Sequence, residues 1–561
     1  MSADFKPVLV KDSRINDITD VLDYAVQSGS SSNTYQQFPA VSASSSSVSF
    51  NIQVPSESIV ISREVLVDTE IHFSVNVSNV PVGQTAFNYG VTDALQAFPF
   101  SSLLTTLSAS INNTSVSINL QDVLPALLRL NDSRQLYKYN GMTPSLPDQA
   151  YKFYADGVAS NNNPLAGYTN SSYDVDLLPR GSHPISMTLS RYVAGVLTDN
   201  SPISTNQATN SWVVSCVVRV TEPVFLSPFI FGNPEFNKGG MVGINSMNFV
   251  MNIDSSCKRF FSTSSSGYNY SVSLGTATQP QPFQNCKMLL NFLSTQPTDL
   301  VPARNVLPYM DFPRYISLAT SNPNIPSGAS TTIVTNSVQL NQLPDYFIIM
   351  VRKPMSSQSV KDSTSFLPIN SISVNLNNTS GLLSSATQQD LWRISVANNS
   401  TQNWSEFSGS AFRPNNATGV GSLLATTGSL LILSPARDLS LPSYLSSGSI
   451  GQYVFQANIN VTNNELSALT PEVVVMCVNS GIFTTLAGSS SIFTGVLTKQ
   501  MVLDAQETEP VSSTTYQRLV GGVLSNQIAS AMKKIPQMKK MYKHSAGDKS
   551  MKMKKLDSLC M

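Results

Sequence analysis

The tetrapeptide Asn-Asn-Thr-Ser occurs at residues 112–115 and again at 377–380, each time after an alternating apolar run and ahead of a helical one. Leu107, Ala109 and Ile111 alternate with serines, the period-two pattern of a strand with one buried face. Asn112-Asn113 breaks the pattern as a tight turn does, because Asn tolerates positive φ. Val116, Ile118 and Leu120 resume the alternation and complete a hairpin. Asp122 is then placed to cap "VLPALLRL", with Pro125 in the first turn, where its missing N–H is tolerated. The later copy repeats the construction. Ile372, Val374 and Leu376 alternate, Asn377-Asn378 turns the chain, and Ser385 with Gln388 forms an S-x-x-Q capping box for "ATQQDLWRISVA".

Further landmarks keep step with this pair. "RGSHPISMTLS" matches "SGSIGQYVFQA" through Gly181 and Gly448, and "VVSCVV" around Cys216 matches "VVMCVN" around Cys477. Landmarks in one order at offsets of 261 to 268 residues point to two copies of one domain, a period far too long for a solenoid unit. In the first copy the spacing predicts strands at 47–54, 71–77, 107–120, 185–190 and 212–220. In the second it predicts them in "MNFVMNI", "KMLLNFL", "DYFIIMV", "SISVNL", "GSLLILS", "QYVFQANINV" and "EVVVMCV". Short strands joined by long polar loops such as 155–173 suit a jelly roll better than a meander barrel or propeller. The expected fold is therefore all-β: two tandem jelly-roll β-sandwich domains with short helical insertions and long loops. The Pro/Gly-rich segment 224–243 is the natural joint. The expected layout is an N-terminal arm and linker at 1–44, a first jelly roll at 45–230, a second at 231–505, and an amphipathic segment with a basic tail at 506–561.

Composition narrows the function. Only 12% of residues are charged, against roughly 25% in ordinary globular domains, while 41% are hydrophobic. A surface so poor in charge suits being covered by neighbouring copies better than standing alone in water. The five cysteines are odd in number and lack CxxC spacing, which favours neither a disulfide framework nor a zinc site. No signal-peptide core or run of 18 apolar residues occurs, so synthesis in the cytosol is expected. No HExxH, GxSxG, GxGxxG or Walker A pattern appears, and "NKGGMVG" lacks the phosphate-loop Lys-Ser/Thr. His72 reads as a side chain on a sheet face, and Trp392 and Trp404 as packing rather than sugar-stacking residues. "LLPRGSH" at 177–183 reads as a native loop open to nicking. No catalytic residue, metal site or cofactor is expected.

Against this background, "FPFSSLLTTLSASINNTSVSINLQDVLPALLRL", "QPTDLVPARNVLPYMDFPRYIS", "PDYFIIMVRKPMSSQ", "SISVNLNNTSGLLSSATQQDLWRIS" and "VVVMCVNSGIF" carry a family resemblance. Over about residues 45 to 500 the chain resembles the double jelly-roll major capsid proteins of the adenovirus–tectivirus lineage, those of virophages and Polinton-like viruses above all. The resemblance implies a non-enzymatic shell protein made in the host cytoplasm. It implies a homotrimer giving a pseudo-six-fold capsomer that tiles an icosahedral virion, in contact with neighbouring capsomers and with minor capsid or vertex proteins. The rival readings are a single jelly-roll or vertex capsid protein with a projecting domain, a carbohydrate-binding β-sandwich adhesin, and a β-sandwich glycoside hydrolase.

The two ends add partners. Residues 531–561 hold Lys533, Lys534, Lys539, Lys540, Lys543, Lys549, Lys552, Lys554 and Lys555 against two aspartates, a net +7 in a chain formally neutral overall. Such a tail binds a polyanion through counterion release without reading sequence. Leu519, Val520, Val523, Leu524, Ile528 and Met532 precede it at near-helical spacing, so genome, an inner membrane or an internal protein are the candidate contacts. A flexible solubilising tail is the plain alternative. At the other end Ile15, Ile18, Leu22 and Ala25 share one helical face, followed by a Ser-rich linker.

Overall fold

The computed structural model describes residues 32–495 apart from internal stretches, chiefly 79–86, 149–182, 198–210, 230–239, 264–268, 295–303, 414–421 and 442–446. The first sandwich is carried by β1 (Ser32–Pro39), β2 (Ser47–Gln53), β3 (Leu66–Ser78), β4 (Leu104–Ile111), β5 (Thr114–Ile118), β6 (Ser211–Pro223), β7 (Ser246–Ile253) and β8 (Phe283–Ser294). They pair antiparallel in two sheets, ordered β1-β8-β3-β6 and β2-β7-β4-β5. The second sandwich is carried by β9 (Arg314–Ser317), β10 (Ser330–Val334), β11 (Tyr346–Arg352), β12 (Ile369–Leu376), β13 (Thr379–Leu382), β14 (Leu431–Leu433), β15 (Ile450–Thr462) and β16 (Glu472–Leu486). Its sheets run β9-β16-β11-β14 and β10-β15-β12-β13. Numbered within each half, both read first-eighth-third-sixth and second-seventh-fourth-fifth. One jelly roll is built twice.

Alternation explains the strands. In β2, Val48, Phe50 and Ile52 point inward; in β7, Met247, Phe249, Met251 and Ile253 do, with polar or exposed residues between them. Both hairpins close on asparagines in the left-handed region, Asn112 at φ 51° and Asn377 at φ 52°. Each also stitches its hairpin to the neighbouring strand. Asn112 donates its N–H to Ser246 O and accepts the Asn245 N–H on Oδ1, both at 2.8 Å. Asn377 does the same with Val454 O and N, again at 2.8 Å. A residue that tolerates positive φ and carries an acceptor one atom beyond Cβ meets both demands, which is why asparagine recurs at this point.

The pairing moves the boundary between the halves. β7 and β8, expected as the opening strands of the second jelly roll, pair with β2, β4, β1 and β3 and so complete the first. The joint expected at 224–243 begins inside the first core, where Val224, Phe225, Leu226 and Phe229 are buried; the crossing comes after Ser294. The glycine and cysteine matches were coincidences of composition. Cys216 lies on β6, the sixth strand of its half, and Cys477 on β16, the eighth of its own. Likewise "ISMTLS" lies on Ser186–Val193, which extends the sheet beyond β6, whereas β15 is the counterpart of β7; Gly181 falls outside the described residues. Two sandwiches also exclude the single-jelly-roll reading. The N-terminal arm, the 155–173 loop and everything after 495 lie outside the described residues.

Replacing Asn377 by Ala should cost about 1–2 kcal/mol, the sum of a strained left-handed residue and a lost hydrogen bond. Asn377→Gly should recover the backbone part alone. Denaturant midpoints measure both, and an Ala variant as stable as wild type would contradict this account of the turn.

Candidate functional site: the seam between the sandwiches

The helix behind the first hairpin, α1 (Leu120–Leu130), begins one turn earlier than expected. Its N-cap is Asn119, whose side chain accepts the Asp122 N–H at 3.3 Å, and Pro125 lies inside the helix rather than in its first turn. A proline there removes the N–H that would have bonded the carbonyl four residues back. That carbonyl, on Gln121, instead takes a hydrogen bond from the buried Arg259 guanidinium. Asp122, freed from capping, faces the second sandwich. It accepts from Arg352 Nη2 at 2.5 Å and pairs with Arg314 Nη1 at 2.7 Å, while Arg352 Nε donates to Glu472 Oε1 at 2.7 Å. Arg352 and Glu472 are direct partners across β11 and β16. Burial and the like charge of Arg352 push the Arg259 guanidinium below its usual range, opposed by Asp122, Glu472 and Asp148.

Arg129, at the other end of α1, is fully enclosed. It donates to Pro125 O, Asp148 O and Thr364 O at 3.0, 2.9 and 3.0 Å and stacks on Phe366 at 5.0 Å. Its own carbonyl receives the Thr401 N–H and hydroxyl at 2.8 and 2.7 Å. Arg129, Arg259, Asp148 and Gln96 line a cavity of about 20 Å³, the room one water needs.

The apolar part of the seam is read from three strands. Along β11, Phe347, Ile349 and Val351 belong to the second core, while Ile348 and Met350 join the cluster of the first. Val474, Met476 and Val478 on β16, and Leu430 and Ile432 at β14, do the same. One sheet is thus buried on both faces. That is why "DYFIIMV", "EVVVMCV" and "SLLIL" are continuous apolar runs rather than alternating ones. A last strand, β17 (Ser489–Thr494), pairs with the end of β16 and reaches back to the first hairpin. Ser490 donates its N–H to Asn113 Oδ1 at 2.9 Å and its hydroxyl to Ile111 O at 2.6 Å, and its carbonyl accepts the Thr114 hydroxyl at 2.6 Å.

The second helix, α2 (Gln388–Ala397), is capped by Thr387 with Asp390, not by Ser385 with Gln388, and Asp390, at the position matching Asp122, is only half-buried. Trp392 and Trp404 pack edge to face at 5.8 Å, with Trp392 Nε1 donating to Gln402 O at 3.0 Å. His72 stands half-buried on a sheet face, as expected; His183, the end of the stretch read as an exposed loop, is buried. Cys216, Cys257, Cys286 and Cys477 are free and buried, and burial pushes the first two thiols up to about 12. Glu222 is buried too. It accepts the N–H groups of Phe100 and Ser101 and the Ser101 hydroxyl at 2.8–2.9 Å, and burial pushes its carboxyl up to about 7. Among the described residues no cluster of His, Cys, Asp or Glu could hold a metal ion. The nine tail lysines, Lys533 to Lys555, lie outside the described residues. Sequence reasoning missed Arg314, Arg352, Glu472 and Ser490. The available signal was a charge ending each apolar run, Arg352 after "FIIMV" and Glu472 before "VVVMCV".

Comparison with known proteins bears on both halves. Residues 3–293 match the family described as Sputnik virophage major capsid protein 1st domain, and residues 312–481 match the Major capsid protein V20 C-terminal domain. The putative capsid protein V20 of Sputnik virophage is 28% identical over 512 residues, covering 89% of this chain and 81% of that protein. A chain in the cryo-EM structure of the Sputnik virophage superposes with a TM-score of 0.71 at 26% identity, covering 92% of this chain and 99% of the other. The mavirus major capsid protein superposes at 0.65 and 14% identity over 90% and 96%, a likeness of fold.

Removing Asp122 leaves Arg352 buried with one carboxylate fewer, so Asp122→Ala should cost about 3–5 kcal/mol. Asp122→Asn should cost less, because it keeps the hydrogen-bond acceptor. Chemical denaturation of both variants checks the order. An Ala variant within about 1 kcal/mol of wild type would show that solvent already reaches the pair.

Proposed function

The chain belongs to the Sputnik virophage major capsid protein family, and from that premise we propose that three copies close into a capsomer of six sandwiches that tiles an icosahedral virion shell. The protein is a structural component of the virion. Its role is mechanical rather than enzymatic, and it is made in the host cytoplasm before assembly.

One observation carries the reading: the chain holds two sandwiches of one strand order, and among the described residues only one of the two seams such a pair offers is filled within the chain. The outer face of the β9-β16-β11-β14 sheet is covered by the first sandwich. The matching sheet of the first sandwich turns Glu70, His72 and Asn76 of β3 and Arg219 of β6 outward, half-buried or exposed. Tyr35 on β1 and the nearby Val41 are 76% and 70% exposed. A polar face with isolated large apolar side chains suits a contact made after folding, between copies that must first stay soluble. Alternating filled and open seams around an axis close a ring of three chains. Neighbouring capsomers, with minor capsid or vertex proteins at special positions, then complete the shell. The lysines of residues 533–555 supply sequence-independent attraction for a polyanion, a genome or an anionic membrane surface.

Light scattering after size exclusion should give three chain masses at micromolar concentration; a monomer at high concentration, or a pentamer, would overturn the trimer. Removing residues 531–561 should abolish salt-sensitive binding to a polyanion, and equal binding by both chains would overturn the role given to the tail.

A further inference from the structure

The buried arginines of the seam are not all compensated alike. Arg352 meets the carboxylates of Asp122 and Glu472 directly. Arg129 and Arg259 bond carbonyl oxygens instead, those of Pro125, Asp148 and Thr364 for Arg129 and that of Gln121 for Arg259. Both line the seam cavity, where two guanidiniums stand against one carboxylate, Asp148. Asp148 accepts the Thr364 N–H on Oδ2. Glu406 attracts Arg129 from the second sandwich, but it is not part of that lining and its carboxylate accepts the Asn403 N–H at 3.4 Å. Burial and the like charge of Arg352 push Arg259 down to about 9, as expected of a cation short of counter-charge.

Two donors on the same lining have no acceptor in the chain. They are Gln96 Nε2 and Arg259 Nε, on residues only 4% and 7% exposed. A buried donor left unpaired carries its full desolvation penalty, larger for a charged group, and calls for an ion or a water. Backbone pairing holds the two residues together. Asp93–Leu95 pairs with Phe261–Thr263, and the Gln96 N–H continues the ladder to Phe260 O at 2.8 Å, next to Arg259 in sequence. Gln96 Oε1 already accepts the Thr364 hydroxyl at 3.1 Å, so the donor is the end of the amide left over.

We propose that this cavity binds one small monovalent anion of the halide class, held by Arg259 Nε and Gln96 Nε2, with Arg129 adding positive charge. Its volume of about 20 Å³ admits a single particle near the size of a water. A water would satisfy the two donors and leave the surplus charge of the lining; a chloride ion meets both needs. The lining joins Gln96, Arg129, Asp148 and Arg259 of the first sandwich to Thr364 of the second, so the bound anion strengthens the seam. Stability then rises with chloride by mass action. The site is complete in one chain and does not depend on the trimer.

Crystals of the full chain soaked in sodium bromide test occupancy: an anomalous peak should lie within hydrogen-bond reach of Arg259 Nε and Gln96 Nε2. In solution the denaturation midpoint should rise, and saturate, as sodium chloride replaces sodium gluconate at equal ionic strength. Gln96→Met, which keeps every charge, and Arg259→Gln should each diminish that rise; if Arg259→Gln fails to fold, Gln96→Met decides. Ordered water without an anomalous signal, a bromide peak with no chloride-dependent midpoint (binding at crystal concentration only), or a chloride effect undiminished in Gln96→Met would each overturn the site.

Discussion

A single sheet buried on both faces, the one containing β16, β11 and β14, is the constraint on which the rest of the structure depends. Ile348, Met350, Leu430, Ile432, Val474, Met476 and Val478 would be an exposed apolar patch if the second sandwich stood alone. Burying each such side chain is worth roughly 1.5–3 kcal/mol, so the set contributes on the order of 10 kcal/mol or more. The Asp122, Arg352 and Glu472 group adds little net stability by comparison, because the desolvation of buried ions nearly cancels their attraction. Its effect is on geometry. Breaking any one bond is costly, so only one register of the first sandwich on the second is tolerated. Apolar area holds the halves together and the ions fix where they meet.

Fusion makes the first seam permanent; in the capsomer proposed above, the second is left to assembly. The permanent seam is apolar and closed around buried arginines, as obligate interfaces are; the open one is polar, as interfaces formed between soluble partners are. Two sandwiches of one strand order thus differ in one sheet: that of the second is covered within the chain, and the matching sheet of the first presents polar residues. The low overall charge agrees with a surface that spends its working life covered.

Local features were legible in the sequence and pairing was not. The hairpins at Asn112 and Asn377, the helices behind them and most strands follow from alternation and turn chemistry, which act over a few residues. Assigning β7 and β8 to the first sandwich requires knowing that Asn252 lies opposite Thr106 and Lys287 opposite Asp68, contacts made across more than a hundred residues that periodicity cannot register. The match of Cys216 to Cys477 failed because valine runs around a small buried residue occur on any inner strand. At Asp122 a carboxylate near a helix start was read as a cap; its use is set by Arg352, 230 residues away in sequence. The two-faced sheet was visible as unbroken apolar runs, and those runs, with their terminal Arg352 and Glu472, were the strongest unread signal of the seam.

A cryo-EM reconstruction of the purified capsomer tests the central claim most directly. The account predicts three chains around an axis, six sandwiches in near six-fold array, and filled and open seams alternating with the apolar one inside each chain. A map in which the two halves of a chain are separated, or in which the ring holds any number of chains other than three, would contradict it.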